Sequence, residues 1–230
     1  IINTDRRPST RQHIGPPLDA LESSLDGHNL AILRCLRRWA LSQSPPVYLV
    51  GGPVRDVLMG TPIKDLDFVV ESDGPKVAAW LAKEFGGEVR IHARFGTATV
   101  VQGLSRVDVV TARRETYPQP AALPQVSPGT IGDDLARRDF SINALALPLG
   151  EPSPQVMDPH GGLQDIQRGL VRVLHAKSFV DDPTRVFRAV RYEQRLGFEI
   201  EAGTRGLLED AVVQGHLAAL SSDRLKHELE

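Results

Sequence analysis

Between Val47 and Val173 the chain reads as short β-type runs broken by glycine and proline, and beyond Pro183 it reads as helix alone. That change of texture constrains the fold more than any other feature. Val47-Tyr48-Leu49-Val50 is an apolar run of strand length that stops at Gly51-Gly52. Leu66–Val70, Glu88–His92, 97–101 and 107–112 are further strands, followed by 145–147 and 170–173. Helices fall between them. Residues 30–41 repeat apolar side chains at Leu30, Leu33, Leu36 and Trp39 before Pro45-Pro46; 53–59 opens on Pro53 and stops at Gly60; 75–85 closes at Gly86-Gly87. Residues 183–196, 204–215 and 221–230 carry helix-forming patterns and no strand candidate. The expected class is α+β: a tail over 1–29 with at most one short helix, a mixed β-sheet flanked by helices over 30–175, and an all-α region over 176–230. Residues 115–130, with Pro118, Pro120, Pro124 and Pro128, read as a long irregular loop of the kind that is usually functional or mobile.

Composition narrows the function classes. The 27 Lys and Arg nearly balance the 29 Asp and Glu, for a net charge of −2, so no global basic footprint for nucleic acid is present and only a local patch remains open. The single cysteine, Cys35, sits in an apolar helical pattern and reads as a buried thiol with no disulfide-linked partner. No apolar run approaches the roughly 18 residues of a membrane span, and the first residues lack a signal-like segment, so the expectation is a soluble, cytoplasmic protein, here as a fragment. The seven histidines show no zinc-ligand spacing, and no G-x-S-x-G occurs.

The chemistry concentrates in five places. In Lys64-Asp65-Leu66-Asp67-Phe68 the strand period of two puts Asp65 and Asp67 on one face, where they repel unless a cation lies between them. Hard oxygen donors in that arrangement suit Mg²⁺ completed by water and phosphate; the plainer alternative is a turn cap beside a solvated aspartate. Gly51-Gly52-Pro53-Val54-Arg55-Asp56 runs from strand into helix, and its glycines, helix N-terminus and Arg55 form a phosphate cradle, or else a tight turn with Arg55–Asp56 pairing at the surface. It is not a P-loop. Asp108 is an acid inside an apolar strand and a candidate third metal ligand. Arg138, Asp139 and Asn143 offer donors and acceptors for ribose and phosphate. Arg185, Arg188, Arg191 and Arg195 share one helix face behind Asp181-Asp182-Pro183, and such a face needs an anion or carboxylates opposite.

In order and spacing these pieces resemble the head and neck of the class II tRNA nucleotidyltransferase (CCA-adding enzyme)/poly(A) polymerase family, within the polymerase-β-like nucleotidyltransferase superfamily. The matching stretches are LVGGPVRDVLMG (49–60), KDLDFVV (64–70), DLARRDFSINALAL (134–147), DPHGGLQDI (158–166) and SFVDDPTRVFRAVRYEQRLGF (178–198), with SSDRLKHELE (221–230) resembling the start of a further helical motif. The resemblance implies a template-independent transferase that adds C and/or A from CTP or ATP to the 3′ end of tRNA and releases pyrophosphate. It implies that Asp65 and Asp67 hold two Mg²⁺ ions, that Gly51, Gly52 and Arg55 grip the triphosphate, and that Arg138, Asp139 and Asn143 recognise the ribose. Asp182 and Arg185 fall on the motif that reads the base edge, with Arg188 and Arg191 following on the same helix. Asp181 stands where the family usually has Glu, and family members continue into helical regions that hold the tRNA. Poly(A) polymerase, or an inactive nucleotide- or RNA-binding module, are the alternatives.

Overall fold

The computed structural model describes residues 17–42, 45–63, 65–92, 96–103 and 105–229. Residues 1–16 of the expected tail, Lys64 of the acidic strand motif and Glu230 lie outside the described residues. Ten strands and ten α-helices follow in the described chain. The strands are β1 (Val47–Val50), β2 (Leu66–Val70), β3 (Glu88–His92), β4 (Thr97–Gln102), β5 (Ser105–Thr111), β6 (Arg113–Thr116), β7 (Gln125–Pro128), β8 (Ala146–Pro148), β9 (Leu170–Val171) and β10 (Glu199–Ile200). The helices are α1 (Pro17–Ser24), α2 (Gly27–Ser42), α3 (Gly52–Met59), α4 (Gly74–Phe85), α5 (Ile131–Ala136), α6 (Gly162–Arg168), α7 (Ser178–Asp181), α8 (Thr184–Leu196), α9 (Ala202–Val213) and α10 (Ser222–Leu229).

The central sheet has six strands in the order β3-β4-β5-β2-β1-β8. Only β2 and β5 are parallel; every other neighbouring pair is antiparallel, so the sheet is mixed, as expected. The pleat sorts β2 into two faces. Leu66, Phe68 and Val70 enter the main core with Leu33 and Leu36 of α2 and Val77, Ala78 and Leu81 of α4. Val69 enters a smaller cluster on the opposite face, where Ile131 and Leu135 of α5 cover Tyr48 and Val50 of β1. Asp67 alternates with Phe68 and therefore lies on the α5 face. Local caps fix where the helices begin. Asp73 accepts from the Lys76 N–H at the start of α4, and Thr130 with Asp133 closes a capping box on α5.

Three expectations are corrected. The tail does not reach residue 29: α1 folds back and places Leu21 fully inside the core, a tertiary contact that a short segment with weak periodicity does not announce. The Pro-rich stretch is framed by a hairpin, β6 against β7, with Arg113 opposite Pro128. Proline is tolerated there because this two-stranded ribbon has open edges. The region after 176 is not all helix: Gly197 ends α8 in the left-handed conformation at φ 64°, the chain reverses, and β10 pairs parallel with β9. Two residues are too few to show a strand period, so only the burial of Ile200 against the core reveals why they extend.

Candidate active site

A cleft of about 890 Å³ opens between α3 and the start of β2, the β6–β7 hairpin, and helices α8 and α10. Asp65 and Asp67 both line it, as the strand period requires. Asp67 stands beside Asp108 in the parallel β2–β5 register, and its carboxyl is pushed up to about 6, first by burial and then by Asp108, with Asp65 adding to the rise and Arg138 and Arg106 opposing it. A carboxylate held that way is short of positive charge, so the donor set fits a hard divalent cation. Among the described residues no three such ligands already close on one point, which leaves water and phosphate to complete the shell. Asp108 faces a smaller adjoining cavity rather than the cleft; Thr99 Oγ1 donates to its Oδ1 at 2.5 Å and Arg106 Nη2 to its Oδ2 at 3.2 Å.

The cradle motif is buried more deeply than a surface ion pair. Arg55 is 2% exposed; its Nε and Nη2 donate to Asp56 Oδ1 at 2.9 and 2.7 Å, and its Nη1 donates to Asn143 Oδ1. Asn143 Nδ2 donates in turn to Asp139 Oδ1 at 3.1 Å, and Arg188 grips Asp139 Oδ2 through Nε and Nη2 at 2.8 and 2.6 Å. Asp139, Asn143, Arg55 and Arg188 thus form one continuous polar chain from the head helix α3 to α8. Burial raises the Asp139 carboxyl, but Arg188 and the Asn143 hydrogen bond outweigh it and hold the group below the usual carboxylate range. Tyr192 underlies the chain: Arg55, Arg188 and Arg195 stand 5.4, 5.8 and 5.3 Å from its ring centroid. Gly51 does not line the cleft itself. It adopts φ +73°, and a Cβ there would lie 2.6 Å from Arg138 Nη1, so glycine lets Arg138 approach the turn while Asp134 fixes the other side of its guanidinium at 2.9 Å.

Asp182 and Arg185 also line the cleft. Asp182 Oδ1 accepts from Thr184 N and Oγ1 at 3.1 and 2.6 Å, which starts α8, and from Arg224 Nη2 at 2.7 Å. Arg185 is 4% exposed and is fixed by bonds to Ser178 Oγ (2.7 Å) and to the Arg137 carbonyl (2.8 Å). Of the four arginines placed on one face by sequence, Arg185, Arg188 and Arg195 reach the cleft. Arg191 does not: it is 43% exposed and turns to the carbonyl and carboxylate of Glu228 on α10. The carboxylates the face needed are thus Asp139 and Glu228. Sequence reasoning missed Tyr192, Arg224 and Glu228. Tyr192 lies at i+4 from Arg188, the one spacing that pointed to it.

A mixed sheet presents Asp67 of β2, and Asp65 just before that strand, to an arginine-lined cleft, a donor set suited to a divalent cation and phosphate. The chain belongs to the family described as the poly A polymerase head domain, whose model matches residues 47–172, more than half of its length. It is 47% identical over 231 residues to an A-adding tRNA nucleotidyltransferase of Geobacter sulfurreducens, covering 99% of this chain and 26% of that protein. It is 48% identical over 151 residues to a CC-adding tRNA nucleotidyltransferase of Deinococcus radiodurans, covering 64% of this chain and 40% of that protein. Among solved structures, a CCA-adding enzyme in apo form II superposes with a TM-score of 0.84 at 40% identity, over 95% of this chain and 52% of that one. The chain therefore spans between about a quarter and about half of the length of these relatives. Among the described residues no helix is long and apolar enough to cross a membrane.

Proposed function

We propose that this chain is the catalytic portion of a cytoplasmic tRNA nucleotidyltransferase that adds C and/or A from CTP or ATP to the tRNA 3′ end without a nucleic-acid template. Residues 17–175, which include α1 packed into the core, act as the head and 176–230 as the start of the neck. The observation that carries the reading is the convergence in one cleft of Asp65 and Asp67 with the Arg55–Asn143–Asp139–Arg188 chain and with Asp182 and Arg185. Named relatives with A-adding and CC-adding activities support it.

Asp65 and Asp67 would hold Mg²⁺, which when bound neutralises phosphate charge and lowers the pKa of the RNA 3′-hydroxyl. The remaining work falls to the chain itself. The Gly51-Gly52 turn leads into α3 beside the cleft, and Arg138 and Arg55 supply cationic charge for the triphosphate. Asp139 and Asn143, already bonded to each other, present fixed acceptors and donors to the ribose hydroxyls. Asp182 and Arg185 stand together on the wall formed by the neck, where a carboxylate and a guanidinium can pair with the edge of cytosine or adenine. Guanine and uracil leave those groups unpaired, which is where discrimination arises. In the transfer the 3′-oxygen bonds to the α-phosphorus as the bond to the bridging oxygen breaks; pyrophosphate leaves and the hydroxyl proton is released.

The test is gel extension with Mg²⁺ and each nucleoside triphosphate in turn, using a tRNA lacking C-C-A, a tRNA ending in C-C, and an unrelated oligomer. Selective growth of the tRNAs, lost in Asp65→Asn, is the expected result. Long A-tails on every primer would assign poly(A) polymerase activity instead, and absence of Mg²⁺-dependent CTP and ATP binding would refute the catalytic reading.

A further inference from the structure

On the side of the sheet away from Asp67, α1, α2 and the end of α4 border a cavity of about 670 Å³ that shares no lining residue with the cleft. Most of it is built by α2. The inner face of that helix buries Ile32, Leu33, Cys35 and Leu36 in the core with Leu66 and Phe68, which leaves Leu30, Arg34, Arg37 and Arg38 to line the cavity. Arg34, Arg37 and Arg38 stand at i, i+3 and i+4 and so crowd guanidinium charge onto one turn. Among the described residues only Arg34 of the three has a carboxylate within salt-bridge distance, Glu22 of α1 at 2.7 Å, and its side chain stays 58% exposed. Glu84 of α4 bears on the same stretch, acting with burial to raise the Cys35 thiol against Arg38, but it does not line the cavity. Arg37 is held through Nη2 by the carbonyls of Glu151 and Pro152 at 3.2 and 2.9 Å, while its Nε is buried with no acceptor among the described residues.

Like charges on one turn repel, and a buried donor without an acceptor is costly, so this end of the cavity calls for an anion. The other end is apolar. His28, at the start of α2, meets the Phe85 ring edge-on with centroids 6.3 Å apart, which places Phe85 near Leu30, about 10 Å back along the helix from Arg37. A ligand that suits both ends carries a ring at one and a phosphate at the other, and the volume lies within the roughly 300–1,000 Å³ of small-molecule sites. Single-stranded RNA is held by cations and rings repeated along a groove, whereas here they are confined to Arg34–Arg38 and one ring. Residues 1–16 carry the wrong sign to serve as the counter-ion, with Arg6, Arg7 and Arg11 against Asp5. We propose that this cavity is a second nucleotide site, separate from the cleft, for a nucleoside mono- or diphosphate. Arg37 and Arg38 take the phosphate, Phe85 and Leu30 the base, and Glu22 accepts from a ribose hydroxyl. The site does not depend on the transferase reading above.

The experiment photolabels the chain with 8-azidoadenosine 5′-diphosphate in the presence of a chelator and maps the labelled peptides, with ADP, pyrophosphate and a short oligoribonucleotide as competitors. Saturable labelling within residues 17–42 or 74–86, displaced by ADP, is expected. Arg37→Gln and Arg38→Gln should each raise the ADP concentration for half-displacement on the order of tenfold, the loss of one charged hydrogen bond. Mg²⁺-dependent CTP binding in the cleft should hold in both variants, which also shows that they fold. Phe85→Leu should weaken ADP while leaving competition by pyrophosphate unchanged, which separates the ring contact from the anion contact. Labelling confined to residues of the cleft, labelling that does not saturate, or an ADP affinity unchanged in both arginine variants would overturn the inference. Displacement by the oligoribonucleotide at lower concentration than by ADP would overturn it too, by assigning the cavity to RNA. Labelling here by a chain that binds no CTP with Mg²⁺ would support this site and refute the transferase reading instead.

Discussion

Replacing Arg188 by methionine tests the polar chain at its most consequential bond. Asp139 is 8% exposed and accepts from Phe140 N at 2.8 Å, from Asn143, and from two nitrogens of Arg188. Breaking a buried pair by removing one partner costs about 3–5 kcal/mol, and because the Arg188 side chain is 33% exposed we discount this to about 2–3 kcal/mol at pH 7. With a urea m-value of about 2–3 kcal/mol/M for a chain of this size, the midpoint should fall by roughly 1 M. The pH dependence fixes the sign. In the unmodified chain the Asp139 carboxyl is depressed, so its stabilisation is present above the ordinary carboxylate pKa and fades only as pH falls through the depressed value. Without Arg188, burial dominates and the carboxyl rises, so the variant regains stability as pH is lowered from 7 toward 4, and the deficit narrows. Urea unfolding of Arg188→Met, Asp139→Asn and the double variant at pH 7 and pH 4.5 measures this. The double variant should be more stable than Arg188→Met alone, because it leaves no uncompensated charge. A deficit within 0.5 kcal/mol, a deficit that widens in acid, or a double variant no better than the single would refute the reasoning.

Two further outcomes follow from the geometry. Asp67→Asn should lose metal-dependent nucleotide addition yet match or exceed the unmodified chain in thermal stability, by up to about 1–2 kcal/mol at pH 7.5 given solvent screening of a half-buried group. The fold favours the protonated form of this acid, so its penalty is full above about 6 and shrinks as pH falls from there to the ordinary carboxylate value of 3.8; melts at pH 7.5 and pH 4 should show the gap closing. Gly162→Ala should destabilise by about 1–3 kcal/mol without touching the cleft, since an added Cβ would sit 2.2 Å from the Ser141 carbonyl oxygen and the backbone must shift; an unchanged urea midpoint would show that α6 moves freely against that turn.

The sequence alone determined the strands around the acidic pair and the helices bounded by caps. Alternation put Asp65 and Asp67 on one side of β2, the Gly51-Gly52-Pro53 turn started α3, and Gly60, Gly86 and Gly197 ended helices where the sequence placed their stops. Those are local effects: period, proline geometry and left-handed glycine act within a few residues. The ordered set of motifs also named the family, because their spacing reflects one shared site.

Tertiary structure decided what faced the cleft. Helical arithmetic put Arg188 and Arg191 within one arc, yet only packing sends Arg188 to Asp139, 49 residues earlier, and Arg191 away to Glu228. Asp108 shares a register position with Asp67 but opens into the neighbouring cavity, a distinction made by the order of strands and by how far α5 extends over them. Leu21, β10, Tyr192 and Arg224 escaped notice for the same reason. Each owes its place to a partner distant in the chain, and burial against such partners leaves no period in a short segment to read.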